Sequence, residues 1–363
     1  MFHFLKKIST KYLKRIKKRF LDFNHSMNSR MRIKALIRDN NISKLNSNEI
    51  EETKIFFKSR GYKLSHTDWH AFYKSKNGEF HKDYIPLGMF KTKISPKLNQ
   101  STQWPALLDK NILYRIFRDF ELPQRVVQNI NGFYFINDKP VSLIEAINEI
   151  SKYGKPLIIK PSIDSGGGKN VVAFEVIGNE ASYKNLSIKS LLKLYKKDFI
   201  VQGFLDQSEI MRALNPSSIN TLRVISYLNE KGVHILSSTA RIGGLDSRTD
   251  NYSSGGLLCG VDSKGIFKTK GYPKKGLAVS ETSTGIKLKG YAVPNYDLIT
   301  EMVKAMHVRI PYFKIVSWDI ALNKKNKPVL IEYNTYNQGL EVQIVTGPFF
   351  GRFTDEILAK ALE

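Results

Sequence analysis

The fold of this chain is constrained most strongly by two apolar runs that five polar residues join. Residues 316–322 and 328–334 have the length and apolar content of strands, and the short polar link between them predicts a hairpin. Side chains alternate along a strand, so Glu332 and Asn334 share one face. Pairing in a hairpin would bring Asp319 close to Glu332 on that face. The segment therefore predicts two neighbouring carboxylates on an antiparallel sheet.

Neighbouring carboxylates repel each other unless a positive group lies between them. Oxygen ligands, only two of them charged, suit Mg²⁺, which completes its coordination with water and substrate phosphates. We therefore interpret Asp319, Glu332 and Asn334 as candidate Mg²⁺ ligands. A solvated hairpin face would explain the same residues without a metal, so other parts of the chain have to decide.

The formal net charge of +24 over 363 residues predicts an anionic partner. Nucleotide phosphates, an acidic glycan, an anionic membrane face and nucleic acid all qualify. No sequence motif of a nucleic-acid-binding class is present, so nucleic acid is not expected. The single cysteine, Cys259, excludes an internal disulfide and favours a reducing compartment. Because no apolar run is long enough to span a bilayer, we expect a cytoplasmic protein.

Near the N-terminus, apolar residues recur at every fourth position, namely Phe4, Ile8, Tyr12, Ile16 and Phe20. Lysines fill the positions between them, which predicts a basic amphipathic helix. Such a helix can lie on an anionic inner membrane leaflet or dock on the rest of the protein. Docking is the slightly favoured interpretation, because most amphipathic helices face a core.

Further along the chain, the aromatic-rich segment 68–86 has mixed periodicity and is interpreted as an irregular connection. From Asp109 onward, helical and strand patterns alternate. Ser142 and Glu145 have the spacing of a capping box, which predicts a helix from Ser142 to Lys152. The predicted fold class is therefore α+β.

A glycine-rich loop follows Lys160, which closes the apolar strand 157–160. The loop contains Ser165, Gly166, Gly167 and Gly168. Glycines allow consecutive backbone N–H groups to turn toward an anion, so the loop can fold over a phosphate chain. Its spacing matches neither the Walker A motif nor the dinucleotide-binding fingerprint, because a strand follows it. A flexible linker is the alternative.

The strand at 199–206 lies between the glycine loop and the carboxylates in the sequence. Backbone groups of Gln202, Gly203 and Phe204, together with apolar side chains, could hold an adenine there. An ordinary buried strand followed by a linker explains the same pattern.

Two arginines, Arg223 and Arg241, each lie within a strand-like run. A buried arginine needs a partner, so these residues suggest a clamp for a phosphate or carboxylate. Structural salt bridges, for example to Asp319, are the alternative. The polar loop 250–256 could close on the same cleft.

These features occur in the order typical of the ATP-grasp fold. The chain resembles the sugar-transfer-associated ATP-grasp family, whose members are associated with bacterial surface-polysaccharide synthesis. The similar motifs are Trp69-His, Tyr84-Ile-Pro, Pro96-Lys-Leu-Asn, Leu108-Asp-Lys-Asn111, Asn220-Thr-Leu-Arg and Ile331-Glu-Tyr-Asn. The resemblance implies an ATP-grasp fold with a helical, basic N-terminal region. The expected divisions are a basic helical segment (1–45), a helical or irregular domain (46–123), a small α+β lid (124–203) and a C-terminal subdomain (204–363).

The resemblance also implies roles for individual residues. Lys110 and Lys160 would contact ATP phosphates, and Ser165 to Gly168 would fold over the β- and γ-phosphates. Gln202, Gly203, Phe204 and Leu205 would line the adenine pocket, although many relatives of this fold have an acidic residue where this chain has Gln202. Arg241 would stabilise the phosphoryl group in transfer, with Asn220 and Arg223 near the acceptor. Asp319, Glu332 and Asn334 would hold Mg²⁺.

The expected activity is an ATP- and Mg²⁺-dependent carboxylate–amine ligation through an acyl phosphate. Its substrates would be an acidic small molecule or glycan, such as a capsular or surface-polysaccharide precursor, and an amine acceptor. A kinase on the same fold, acting on a sugar or lipid-linked intermediate, is the enzymatic alternative. A basic module that binds a polyanion or the inner membrane leaflet is the non-enzymatic one.

Overall fold

The computed structural model describes residues 2–163, 170–178, 180–245, 247, 250–252, 255–336 and 338–363. The chain divides into two compact units. The helical unit comprises Met1–Ser101, Lys275–Ala278 and Tyr336–Glu363, and the sheet unit comprises Thr102–Lys274 and Val279–Thr335. Residues 204–274 and 279–335 thus share a unit with the predicted lid, whereas the C-terminal segment belongs with the N-terminal helices.

The α-helices are, in chain order, α1 Phe2–Asp39, α2 Ser47–Lys58, α3 Asp68–Asn77, α4 Leu87–Met89, α5 Ser95–Leu98, α6 Trp104–Leu107, α7 Lys110–Ile116, α8 Leu143–Lys152, α9 Ile188–Tyr195, α10 Glu209–Leu214, α11 Tyr296–His307, α12 Gln343–Thr346 and α13 Thr354–Leu362. A π-helical turn, Phe90–Ile94, joins α4 to α5, and a 3₁₀ turn, Gly351–Phe353, precedes α13.

The strands are β1 Arg125–Ile130, β2 Phe133–Ile136, β3 Lys139–Val141, β4 Leu157–Pro161, β5 Val172–Phe174, β6 Val176–Ile177, β7 Glu180–Ala181, β8 Leu186–Ser187, β9 Phe199–Gly203, β10 Thr221–Asn229, β11 Gly232–Ile242, β12 Leu257–Val261, β13 Phe267–Pro273, β14 Ile315–Leu322 and β15 Pro328–Asn334.

The helical unit confirms the predicted N-terminal helix and corrects the interpretation of the segment after it. Residues 68–86 were interpreted as irregular, yet Asp68–Asn77 form α3. Five consecutive side chains of α3, Trp69 to Tyr73, are buried. A helical turn that is buried on every side has no polar face, so the sequence of this part of α3 lacks the amphipathic period. Gly78, with φ of 83°, ends the helix in the left-handed conformation that glycine adopts without strain.

The first sheet of the sheet unit has the strand order β3-β2-β1-β9-β4-β5, and all its pairs are antiparallel. Buried side chains of α8 and α9 pack with those of the strands in one hydrophobic cluster. The predicted capping box is present, because Ser142 accepts from the Glu145 N–H and Glu145 from the Ser142 N–H. This sheet and its helices occupy the range predicted as a lid.

The second sheet has the order β13-β12-β11-β10-β14-β15 and is also antiparallel. Its hairpin β14–β15 is confirmed, with Asp319 opposite Glu332. The edge strand β13 was not predicted, because its alternation of lysines with small residues lacks an apolar run. Helix α11 covers one face, where its buried residues join the main hydrophobic cluster of the unit.

Bilayer-spanning segments combine a length of about 20 residues with an apolar character. Among the described residues, no helix meets both requirements.

Candidate functional site

A cleft in the sheet unit receives side chains from both of its large sheets. The strands β4, β9, β10, β11, β14 and β15 contribute, together with the start of α7 and the loop after β11. Its lining residues are Lys110, Pro123, Ile158, Lys160, Val171, Gln202, Gly203, Leu205, Ile219, Thr221, Arg241, Asp250, Asn251, Asp319, Ile331 and Glu332. Most of the predicted site residues that the structure describes are therefore gathered in one place.

Two lysines lie together in this cleft because a backbone hydrogen bond joins their elements. Asp109 caps α7 by accepting from the Asn111 N–H at 2.9 Å, which makes Lys110 the first residue of the helix. The Lys110 N–H donates to the Ser162 carbonyl at 2.9 Å, just beyond β4, whose Lys160 side chain is also buried. Sequence reasoning predicted both lysines but not this link between them.

The setting of Lys160 disfavours its charged form. Burial and, to a lesser extent, the nearby Lys110 lower the pKa of the Lys160 ammonium group to about 8, while Glu332 acts in the opposite direction. The Lys110 ammonium nitrogen lies 3.6 Å from Oε2 of Glu332. Two ammonium groups held close together need anions, and an entering phosphate chain would supply them.

The carboxylate of Asp319 is held by two arginines. Arg223 donates from Nε to Oδ1 at 2.9 Å and from Nη2 to Oδ2 at 2.7 Å, and Arg241 donates from Nη1 to Oδ2 at 2.9 Å. Burial alone would raise the pKa of Asp319, but the two guanidinium groups outweigh it and hold the pKa below its usual value. The ion pairs to Asp319 that the sequence left open are thus present.

Arg241 is also held from its other side. Its Nη2 donates to Oδ1 of Asn251 at 2.8 Å and lies 3.3 Å from Oδ1 of Asp250. Burial raises the pKa of Asp250, although the Arg241 guanidinium acts in the opposite direction. The Thr221 hydroxyl donates a hydrogen bond to the same carboxylate. Three partners, Asp319, Asn251 and Asp250, thus restrict the guanidinium to one orientation. Asp250 and Asn251 confirm the expectation that this polar loop reaches the cleft.

The six charged side chains among the described lining residues balance. Three are cations, Lys110, Lys160 and Arg241, and three are carboxylates, Asp250, Asp319 and Glu332. The large positive charge of the chain is therefore not concentrated on the described walls of this cleft. A carboxylate-bearing substrate would need further positive charge near it, which a divalent cation could supply.

The segment 202–205, for which the sequence predicts contact with adenine, lines the cleft in part. Gln202, Gly203 and Leu205 contribute to the wall, whereas Phe204 is 45% exposed and does not. The Gly203 and Phe204 N–H groups donate to the carbonyls of Gln124 and Pro156, at 2.8 and 3.0 Å. These two donors are therefore used within the protein.

The side chain of Gln202 is fixed by a residue that sequence reasoning missed. Its amide nitrogen donates to the Tyr114 hydroxyl, which in turn donates to the Pro123 carbonyl at 2.6 Å. Gln202 and Pro123 both line the cleft. Tyr114 lies on α7 one helical turn after Lys110, so it is on the same side of that helix. That spacing was the available signal.

Asn220 has a different setting from the one predicted. Its amide nitrogen donates to the carbonyls of Met211 and Asn215, at 2.8 and 2.9 Å, and its side-chain oxygen accepts from the Gly243 N–H at 3.1 Å. The residue is fully buried and does not line the cleft. Its hydrogen bonds hold the chain before β10 in place, which is a structural role. The role of Asn220 near the acceptor stays a prediction from the sequence.

The end of β15 departs from simple alternation. A register shift follows the Asp319–Glu332 pair, leaving Ile331 as an extra residue in β15. A bulge places consecutive side chains on one face, and Ile331 and Glu332 accordingly both line the cleft. Asn334 lies two residues beyond, opposite Ser317, and does not line it. Ser165, Gly166, Gly167 and Gly168 lie outside the described residues.

Two antiparallel sheets contribute to a cleft in which lysines lie beside carboxylates, an arrangement suited to binding phosphates and a cation. A family model described as sugar-transfer associated ATP-grasp matches residues 89–355, well over half of the chain. The chain belongs to this family, and its fold is the ATP-grasp fold. The resemblance inferred from the sequence motifs is thereby confirmed.

Solved structures give more distant matches. An L-amino acid ligase from Bacillus licheniformis is 14% identical, with 70% of this chain and 48% of that chain covered and a TM-score of 0.40. The ATP-grasp ligase PsnB is 13% identical, with coverage of 70% and 61% and a TM-score of 0.40. D-cycloserine synthetase DcsG is 11% identical, with coverage of 72% of both chains and a TM-score of 0.42. The chain thus spans about half to three fifths of the first two proteins. No curated protein matches it.

Proposed function

We propose that this protein is an ATP- and Mg²⁺-dependent carboxylate–amine ligase. The observation that carries the proposal is the convergence of Lys110, Lys160, Glu332 and the fixed Arg241 in one cleft of an ATP-grasp fold. Phosphoryl transfer needs positioning and charge neutralisation more than a protein nucleophile. These side chains supply both.

The nucleotide would lie along the wall that the two sheets share. Lys110 and Lys160 would bind its phosphates, and Gln202, Gly203 and Leu205 would contact the base. Ser165 to Gly168 remain, from the sequence, the predicted cover over the β- and γ-phosphates. Because the Gly203 and Phe204 N–H donors are used elsewhere, base recognition would depend more on apolar contact and on the Gln202 side chain.

The oxygen donors of the cleft fit Mg²⁺. An ionised carboxylate has about four lone-pair sites. The hydrogen bonds from Arg223 and Arg241 use three sites of Asp319, which leaves one on Oδ1. Glu332 lies opposite Asp319 on the next strand. These two residues would hold the ion, which when bound neutralises phosphate charge; Asn334 remains a ligand predicted from the sequence alone.

The proposed chemistry has two balanced steps. A substrate carboxylate oxygen attacks the γ-phosphorus, the bond to the bridging oxygen breaks, and ADP leaves with that electron pair. An amine then attacks the acyl carbon, phosphate leaves and the amine loses a proton, forming an amide. Arg241, oriented by Asp250, Asn251 and Asp319, would stabilise the charge that develops on the transferred phosphoryl group.

The proposed chemistry and the family description, sugar-transfer associated ATP-grasp, support a choice of substrate classes. We propose an acidic small molecule or glycan as the carboxylate donor, on a surface-polysaccharide precursor, and a primary amine as the acceptor. The need for ATP places the reaction in the cytoplasm. A kinase on the same fold would add phosphate to its substrate, so product mass separates the two activities.

The test combines the purified full chain with ATP, Mg²⁺ and panels of uronic acids, amino acids and amines. ADP and phosphate release and product mass are measured. We expect release that requires both a carboxylate and an amine, with a product lighter by one water than the sum of its substrates. Glu332→Gln should reduce the rate at least about a hundredfold, because removing charge stabilisation at a transition state costs factors of this size.

The matched control is Glu301→Gln. Glu301 is an exposed carboxylate on α11 that pairs with Lys304, outside the cleft. Its variant should keep the wild-type rate. If wild type and Glu332→Gln release ADP at the same background rate with every acid and amine tested, the proposed ligase activity is rejected. A phosphorylated product without an amide would establish the kinase activity instead.

A further inference from the structure

A stripe of exposed apolar side chains runs along α1. It consists of Ile16, Phe20, Phe23, Met27 and Met31, which we call the apolar stripe. Their spacings of four, three, four and four residues place them on one narrow face of a helix. Phe20 and Phe23 are 64% and 63% exposed, so the apolar edge of this part of α1 is not the face that docks on the rest of the protein.

The opposite face of the same helix is the one that docks. Ser29 and Ile33 are buried, and α1 contacts α3, α4 and the π-helical turn of the helical unit. Two residues correspond to about 200° around an α-helix, so Ile33 points almost directly away from Met31. Because its C-terminal half is anchored through this face, α1 presents the apolar stripe outward.

The charge of α1 selects among the surfaces that could cover the stripe. The helix carries twelve lysines and arginines against two aspartates. Among them, Lys17, Arg19, Arg30 and Lys34 are exposed beside the stripe. A second copy of α1 packed against the apolar stripe would bring the same excess of positive charge, so the two helices would repel each other. Anionic lipid headgroups attract lysines and arginines, and the acyl boundary accepts aromatic and methionine side chains.

We propose that the apolar stripe of α1 binds the surface of an anionic lipid bilayer. Phe20, Phe23 and Met27 enter the headgroup–acyl boundary, and the flanking cations contact lipid phosphates. The anchored half of α1 then holds the helical unit at the membrane. This binding does not depend on the proposed ligase activity, because the apolar stripe and the cleft lie in different units of the chain.

The test is co-sedimentation of the full chain with vesicles. Vesicles of phosphatidylcholine with phosphatidylglycerol are compared with vesicles of phosphatidylcholine alone, at low and high salt. We expect binding to the anionic vesicles that weakens as salt rises. A Phe20→Ser, Phe23→Ser, Met27→Ser variant should bind at least about tenfold more weakly, since each buried apolar side chain adds to membrane affinity.

The matched control is Phe133→Ser, Ile144→Ser, Leu194→Ser, which removes side chains of similar exposure from the sheet unit. It should bind anionic vesicles like the wild type. Circular dichroism and thermal unfolding check that both variants fold. No vesicle binding by the wild type, or equal binding by the stripe variant, overturns the proposal. A solution dimer that the stripe substitutions dissociate, without vesicle binding, would make the stripe a self-association surface and also overturn it.

Discussion

Arg223 and Asp319 lie opposite each other on β10 and β14 and form two hydrogen bonds, 2.9 and 2.7 Å long. Asp319 is the carboxylate that the sequence predicts as a metal ligand, and its side chain is only 4% exposed. The negative charge of the Asp319 carboxylate is therefore compensated by arginines of the protein itself. Any cation bound there shares Asp319 with two arginines, which keeps the carboxylate ionised and fixed in direction.

Removing the charge of Asp319 should destabilise the fold. Asp319→Asn leaves Arg223 and Arg241 buried without their common counter-ion, and we expect a loss of about 3–5 kcal/mol in the free energy of unfolding. Urea denaturation followed by circular dichroism measures it. Asp119→Asn is the control, because the Asp119–Arg309 pair is largely exposed and should contribute less than about 1 kcal/mol. Similar losses in the two variants would contradict this account.

The lowered pKa of Lys160 should make stability depend on pH. The folded pKa is about 8 and the ordinary value is 10.5, so the unfolded chain binds more protons between these values. The free energy of unfolding should therefore rise with pH across that window. Lys160→Met removes the rise and should stabilise the protein at pH 7 by about 1–3 kcal/mol. Urea denaturation at several pH values measures this.

Through the same lysine, a rise in pH should weaken nucleotide binding, whereas it should increase the stability of the fold. Phosphates need its ammonium form, so ATP affinity, measured by calorimetry, should fall as pH rises through about 8. In Lys160→Met this dependence should flatten and the affinity should be lower throughout. Lys152→Met, at an exposed position on α8, is the control. A pH dependence of stability or binding that survives Lys160→Met would contradict the assignment.

A side chain at position 256 should disturb the arginine site. A Cβ atom on Gly256 would lie 2.8 Å from the backbone oxygens of both Asp250 and Asn251, so that backbone has to move. These residues hold Arg241, and we expect Gly256→Ala to cost about 1–3 kcal/mol of stability and to lower the ligase rate. Thermal unfolding and the ADP-release assay measure the two effects. Gly88→Ala, where the nearest atom is 3.4 Å away, should change neither.

Loss of the Tyr114 hydroxyl should loosen the cleft wall at Gln202, where we propose that the base binds. Tyr114→Phe leaves the Pro123 carbonyl and the Gln202 amide without this partner, which should cost about 1–3 kcal/mol of stability. We also expect weaker ATP binding, measured by calorimetry. Tyr291→Phe removes a comparable hydroxyl bond, to the Ile210 carbonyl, outside the cleft. Weakened ATP binding in that variant alone would be inconsistent with the role of Tyr114.

Local signals predicted several elements correctly because their causes are local. The polar link and apolar runs at 316–334 specify a hairpin, and Ser142 with Glu145 specifies a helix start. The same reasoning failed for α3, where burial on all sides removes the period, and for β13, an edge strand without an apolar run. It also could not assign Asn220, whose amide bonds three backbone groups that only the folded chain brings together.

The amino-acid sequence by itself determined the resemblance to the family, the hairpin at 316–334 and the order of the lysines, arginines and carboxylates along the chain. Tertiary structure decided which of these side chains meet. Lys110 reaches Lys160 only through the bond between α7 and the end of β4, and Asp319 is compensated only because β10 and β11 bring Arg223 and Arg241 beside it. Such pairings join residues far apart in the chain, so no local pattern encodes them.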